Sequence, residues 1–295
     1  MFDSAPDVPI LPGLAALAGR YDAFIVDLWG VLHDGVRPYP GAIDGLRELK
    51  RRDKRVAILS NAPRRAADVA RRTAEIGVTP DLYDHLLSSG EETWRSLKER
   101  ANPRNAALGR AVFPLMARRD RGMLDGLDLV VATRVAEAGF ILATGVEGPG
   151  DRVADFEATL AAGVARGIPM VCANPDLEVV RDGVREICAG ALAARYEALG
   201  GEVRYHGKPH PSIYRACFEA LGVTERRRIV AVGDSLRTDI AGAERAGIDS
   251  VLVTGGLHAE ELGVAAGGSP DPRTLAAACA RAGHLPTVAV PAFAW

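Results

Sequence analysis

Four short apolar runs do most to limit what this chain can fold into. They are Ala23–Leu28 (AFIVDL, interrupted only by its acid), Val56–Leu59, Ile229–Val232 and Ser250–Val253. A strand with one wet face alternates apolar and polar residues, whereas a strand covered on both faces need not. The segments around these runs, Ala42–Arg52, Arg64–Ile76 and Asp239–Ala246, carry helical spacing. Buried strands alternating with amphipathic helices predict an α/β fold whose core is a Rossmann-like, doubly wound parallel sheet. Ligands of such sheets bind outside the carboxyl ends of the strands. The acids and hydroxyls that follow the runs therefore have a prior claim to be functional.

The middle of the chain repeats the style. Leu129–Ala132, Phe140–Thr144 and Pro169–Ala173 read as strands and Ala154–Arg166 as a helix, with glycine-rich loops at Gly145–Gly150 and Gly200–Gly201. A second α/β domain over 86–204, inserted into a core made of 1–85 and 205–295, is the expected organisation. A length of 295 residues suits two domains. The closing LPTVAVPAFAW reads as an extended tail, either an edge strand or a partner contact.

Charge and composition exclude several classes. A net charge of −2 gives no global field for nucleic acid or an anionic membrane, and the basic clusters at Arg51–Arg55 and Arg118–Arg121 have acids close by. There is no apolar run of membrane-spanning length and no charged start followed by an apolar stretch, so a cytoplasmic protein is expected. Cys172, Cys188, Cys217 and Cys279 show no metal spacing; most sit in apolar or helical surroundings and read as small core residues.

Four polar clusters follow predicted strands: Asp27, the pair Ser60-Asn61, Lys208 in HGKPHP, and Asp234 with Asp239 in VGDSLRTDI. Singly each has an ordinary explanation. An acid after a strand is often a surface residue, Ser-Asn is a common helix cap, Gly-Lys-Pro is a common turn, and Asp239 could cap the helix it precedes. Together they form the set that phosphoryl transfer requires. A carboxylate attacks, a hydroxyl with backbone N–H groups binds phosphate oxygens, a lysine offsets charge, and further carboxylates hold Mg²⁺. A phosphate dianion repels an attacking carboxylate, so these groups should converge.

At this point the sequence resembles the haloacid dehalogenase (HAD) superfamily, whose four motifs it presents in order. The wording YDAFIVDLWGVLHDG, PYPGA, LSNAP, ANPD, GKPHPSIY, GDSLRTDIAGA and VLVTGG is similar to subclass IIA, the 4-nitrophenylphosphatase and sugar-phosphatase group. The resemblance covers about residues 20–265. It implies a C2-type α/β cap at 86–204 and a phosphorylated small molecule as substrate, and it is compatible with a homodimer paired through the cap. It further implies Asp27 as the nucleophile that forms an aspartyl-phosphate. Mg²⁺ would be held by Asp27, the carbonyl of Trp29 and Asp234, with Asp239 close by. Ser60, Asn61 and Lys208 would bind phosphate. Asn174-Pro175-Asp176 matches the family's NPD signature, and whether it touches substrate or orders a turn stays open.

One position departs from the pattern. The family's phosphatases read DxDG in the first motif, and here it is Asp27-Leu28-Trp29-Gly30. The missing second acid would protonate the leaving oxygen and then activate water; an indole N–H can do neither. That loss typically costs ~10²–10⁴-fold in rate, while the backbone carbonyl of residue 29 stays available to metal. His33, Asp34 and His206 are candidates to take over the proton transfer. Trp29 could instead stack on a flat substrate group or exclude water in favour of another acceptor. Two other readings stand beside the phosphatase. One is a binding or regulatory protein that captures a phosphorylated metabolite. The other is a dehalogenase, against which the retained Asp234 and Asp239 count.

Overall fold

The structure, a computed structural model, describes residues 8–101, 103–181, 183–265 and 268–295. The chain divides into two compact units. One, the core unit, contains the chain up to Ser60 together with Ala70–Leu87 and Lys208–Trp295; the other, the inserted unit, contains Asn61–Val69 and Ser88–Gly207.

The core unit is built on a six-stranded sheet in the order Val288–Val290, Asp249–Val253, Ile229–Gly233, Ala23–Val26, Arg55–Ser60, His85–Ser88. The pairings from Val288–Val290 across to Arg55–Ser60 are all parallel, with Val26 opposite both Val232 and Ile58. The Ala23–Val26 strand is buried along its whole length, as its unbroken apolar run requires. The chain starts in mid-sheet, moves outward on one side through Arg55–Ser60, then returns to add Ile229–Gly233 on the other. That reversal between Ala23–Val26 and Ile229–Gly233 is the topological switch point of a doubly wound sheet. The closing apolar tail supplies the edge strand Val288–Val290, and Phe293 beyond it is 1% exposed.

Helices cover the sheet through apolar stripes. Ala42–Arg51 buries Ala42, Leu46 and Leu49, each leucine stabilising by roughly 2 kcal/mol on burial. Pro211–Leu221 starts with proline at its first position, where a missing N–H costs nothing, and stops at Gly222, whose φ of 67° suits glycine. Its buried face, Ile213, Tyr214, Cys217 and Leu221, packs with Ile25, Ala57 and Ala231 of the central strands. The helix expected over Asp239–Ala246 begins earlier. Ser235 accepts from the Thr238 N–H, a wide turn runs over Leu236–Ile240, and the α-helix follows at Ala241–Ala246.

The inserted unit has its own parallel sheet, in the order Val203–Tyr205, Met170–Cys172, Phe140–Ala143, Ala111–Leu115, Val130–Val131. Its helices include Ser89–Glu99, Glu157–Ala165 and Ala189–Ala198, and a short antiparallel pair joins Glu178–Arg181 to Val184–Ile187. The whole is an α/β fold with a doubly wound core interrupted by a second α/β unit. All four cysteines are buried and none forms a disulfide. Among the described residues no helix is long and apolar enough to cross a membrane.

Candidate active site at the carboxyl ends of the core strands

Asp27 directly follows the Ala23–Val26 strand and donates its N–H to Val232 O at 2.9 Å. The parallel register therefore delivers Asp27 and Asp234 to the same sheet edge, on either side of the switch point. Asp239 joins them because the wide turn brings its carboxylate back under the strand: its Oδ2 accepts from the Ser235 N–H at 3.1 Å. Ligand atoms of Asp27, Asp234 and Asp239 all lie within 4.8 Å of one another, and all three residues are buried. Lys208 reaches this cluster from the turn ahead of the Pro211–Leu221 helix. Its ammonium stands 2.6 Å from Asp27 Oδ1 and 2.8 Å from Asp239 Oδ1, with the side chain 3% exposed.

The electrostatics of this cluster are unbalanced. Among the described residues, three carboxylates face the Lys208 ammonium in a place water scarcely reaches. Burial, then the charges of Asp27 and Asp239, push the Asp234 carboxyl well above the usual carboxylate range, although the Leu257 N–H at 2.7 Å and Lys208 work the other way. A buried surplus of negative charge is costly unless a cation offsets it. Closely spaced hard oxygen donors fit a small divalent cation, and Asp27, Asp234 and Asp239 are the side chains that could hold it.

Glycines shape the surroundings of Asp234. Gly30 has φ of 73°, and a Cβ there would come 1.6 Å from Asp234 Oδ2; a Cβ on Gly256 would come 2.3 Å from the same atom. The sequence flagged neither as a site residue, yet both stand beside quoted motif residues, Gly30 in DLWG and Gly256 in VLVTGG. A glycine following a strand or acid is the signal that could have marked them.

Trp29 lies against its own loop. Its ring and the His33 ring form a T-shaped pair at a centroid distance of 5.1 Å, and a Cβ on Gly35 (φ 92°) would collide with the indole at 2.2 Å. His33 is 2% exposed, and its Nδ1 accepts from the Gly35 N–H at 3.0 Å, so in the neutral ring Nε2 carries the proton. Burial pushes His33 down to about 4. Asp34 accepts from the Val36 and Arg37 N–H groups at 2.9 and 2.8 Å; these outweigh its partial burial and hold it below the usual range, which suits a turn-former better than an acid catalyst. His206 stands in the inserted unit, 3.8 Å from Glu92.

Ser60 ends the Arg55–Ser60 strand, one position past the residue level with Asp27, and is 1% exposed. Asn61, the next residue, belongs to the inserted unit, where its Nδ2 donates to Asp176 Oδ1 at 2.9 Å. Lys208, expected at a strand end, does follow a strand. The strand that precedes it, Val203–Tyr205, pairs with Met170–Cys172 in the inserted unit's sheet, and Lys208 itself begins the return into the core unit.

The inserted unit holds a buried acid of its own at its sheet's reversal. Asp120, 2% exposed, pairs with Arg64 Nε at 2.7 Å and accepts from Thr144 Oγ1 at 3.3 Å.

The family model "Haloacid dehalogenase-like hydrolase" matches residues 24–129, and a second, HAD-hydrolase-like model matches 205–278. Chronophin of Mus musculus is 31% identical over 253 residues, covering 84% of this chain and 86% of the mouse protein. D-glycerol 3-phosphate phosphatase of Mycobacterium tuberculosis is 28% identical over 83% of this chain, which spans 66% of that protein's own length. Among solved structures, a haloacid dehalogenase-like hydrolase from Brucella suis 1330 superposes with a TM-score of 0.81 at 30% identity, covering 96% of this chain and 99% of that one.

Proposed function

Because this chain belongs to the haloacid dehalogenase superfamily and is a phosphatase of its subclass IIA kind, we propose that it is a Mg²⁺-dependent phosphomonoesterase working through Asp27. The observation that carries the proposal is the buried cluster of Asp27, Asp234 and Asp239 around a single lysine. Mg²⁺ would be held by Asp27, the Trp29 carbonyl and Asp234, with Asp239 nearby. When bound it supplies positive charge that lets a carboxylate approach a phosphate dianion.

The remaining work falls to the chain. Lys208 fixes one Asp27 oxygen and offsets charge on the incoming phosphate. Ser60 and the Asn61 backbone bind phosphate oxygens. A carboxylate oxygen of Asp27 attacks phosphorus, the bond to the leaving oxygen breaks, and the leaving group departs with the electron pair. Water then attacks phosphorus of the aspartyl-phosphate, the bond from the Asp27 oxygen to phosphorus breaks with its electron pair returning to the carboxylate, and inorganic phosphate leaves as dihydrogen phosphate with both protons of the water. Residue 29 offers no proton at either stage, so the enzyme favours esters whose leaving group is stable as an anion. The substrate is a small phosphate ester of the size handled by relatives named as D-glycerol 3-phosphate and ribonucleotide phosphatases. The segment 86–204 serves as the cap and carries specificity. Relatives named as phosphatases weigh against the non-catalytic and dehalogenase readings.

The test is phosphate release from 4-nitrophenyl phosphate and from glycerol phosphate, with Mg²⁺ and with chelator. Turnover that needs Mg²⁺ and is faster on the aryl ester is expected. No Mg²⁺-dependent release from either ester rejects the proposal.

A further inference from the structure

The Asn174-Pro175-Asp176 segment has no part in the mechanism above, yet its contacts within the inserted unit converge on the neighbours of two phosphate ligands. Asp176 Oδ1 accepts from Asn61 Nδ2 at 2.9 Å, and Asn61 follows Ser60. The turn is itself braced. The Asp176 N–H donates to Asn174 Oδ1 at 3.0 Å, and the Gly190 N–H donates to Asp176 O at 3.1 Å. A Cβ on Gly190 would lie 2.3 Å from the Pro175 carbonyl oxygen, so the Ala189–Ala198 helix sits flush against the turn. Ser89, fully buried, donates its hydroxyl to Ala173 O at 2.6 Å.

The other neighbour is Gly207, which precedes Lys208. A Cβ there would come 2.5 Å from Asn61 Oδ1, 2.6 Å from Ser89 Cβ and 3.3 Å from Pro175 Cδ, at a φ of 98°. Its N–H donates to Glu92 Oε2 at 2.7 Å. Of the four places where the chain passes from one unit to the other, two, Ser60–Asn61 and Gly207–Lys208, have the residue on their inserted side packed on this one turn.

Resting on the reading of Ser60, Asn61 and Lys208 as phosphate ligands, we infer that Asp176 is a positioning residue. It touches no substrate, and through Asn61 it holds the Ser60–Asn61 peptide in the conformation that receives phosphate. A carboxylate acceptor makes a stronger hydrogen bond to an amide than a neutral one would, and a ligand fixed in advance loses less entropy when phosphate arrives. The NPD turn thus serves the site by orienting its neighbour.

The experiment measures kcat and KM for 4-nitrophenyl phosphate with Mg²⁺, and inhibition by inorganic phosphate. Asp176→Ala leaves the Asn61 amide without this acceptor, so KM and the phosphate inhibition constant should each rise about tenfold while kcat changes less than threefold. Asp176→Asn keeps an oxygen in the same place and should stay within about threefold of wild type on all three. In an Asn61→Ala background, Asp176→Ala should add almost nothing. Unchanged KM in Asp176→Ala, equal damage in Asp176→Asn, or full additivity with Asn61→Ala each overturns the inference. Should Asp176→Ala not fold, Asp176→Glu replaces it: the shifted carboxylate should raise KM, and no rise overturns the inference. A wild type that neither turns over esters nor is inhibited by phosphate sinks the underlying reading; a wild type that does both beside an unaffected Asp176→Ala sinks only this one.

Discussion

The two parallel sheets reverse their strand order in the same manner, and each has a buried acid beyond the strands that flank the reversal. In the inserted unit that acid is Asp120, and Arg64 at 2.7 Å with the Thr144 hydroxyl answers it one for one. In the core unit Asp27 and Asp239 share Lys208, and Asp234 adds a third carboxylate beside them. Topology alone offers two crevices, and charge balance distinguishes them. A pair that is neutral in sum can rest in a low-dielectric interior, whereas a surplus of two negative charges calls for a cation or for protonation.

The largest expected effect removes the centre of the unbalanced cluster. Asp27→Asn should lower kcat on the order of 10⁴-fold or more, because the oxygen proposed to attack phosphorus is lost. Residual turnover above one per cent, measured with 4-nitrophenyl phosphate, would mean that the cluster is structural and the comparison empty.

The next makes the balanced unit resemble the unbalanced one. Arg64→Met strands Asp120 without its cation and should destabilise folding by roughly 4 kcal/mol, read by denaturant unfolding. Turnover by the molecules that stay folded should be unchanged within about threefold, as expected for a substitution off the reacting groups.

A third effect concerns the loop beside the core site. His33 titrates ordinarily near 6.5 and near 4 when folded, so below pH 6.5 the unfolded chain takes a proton that the folded chain refuses. Its stability contribution is intact above pH 6.5 and is lost as pH falls towards 4, by up to about 3 kcal/mol. His33→Gln should therefore lose less stability than wild type between pH 7 and pH 4; identical profiles would show that His33 is reached by solvent.

The smallest effect sharpens what the core site lacks. Trp29→Asp should raise kcat on an unactivated alkyl phosphate about tenfold or more, and on the aryl ester less, since only a poor leaving group needs the proton. An equal gain on both esters would place the deficit elsewhere.

Much of the core was legible because its signals are local. Unbroken apolar runs gave the strands, and an acid or hydroxyl directly after each marked Asp27, Ser60 and Asp234. Lys208 was recognisable through its motif, although the strand before it belongs to the other sheet. The rest depends on distance in space. Arg64 and Asp120 are 56 residues apart, and nothing in either stretch announces the other. The Ala111–Leu115 strand contains a proline, which ordinarily argues against a strand in a sheet interior. The Glu178–Arg181 and Val184–Ile187 pair is only partly buried at most positions and shows no clean apolar run. The early start of the turn at Leu236 follows from Asp239 accepting from the Ser235 N–H while the Ser235 hydroxyl accepts from the Thr238 N–H, a pair of contacts that spacing alone does not reveal.

The absence of side chains at residues 30 and 256 has a practical corollary for anyone seeking to retool this enzyme. Even a methyl group at either place would occupy space already filled by an Asp234 oxygen. A randomised library spanning the loop should therefore return survivors diversified at 29 and monotonous at 30. Catalytic novelty has one open door there, and its neighbour is bricked up.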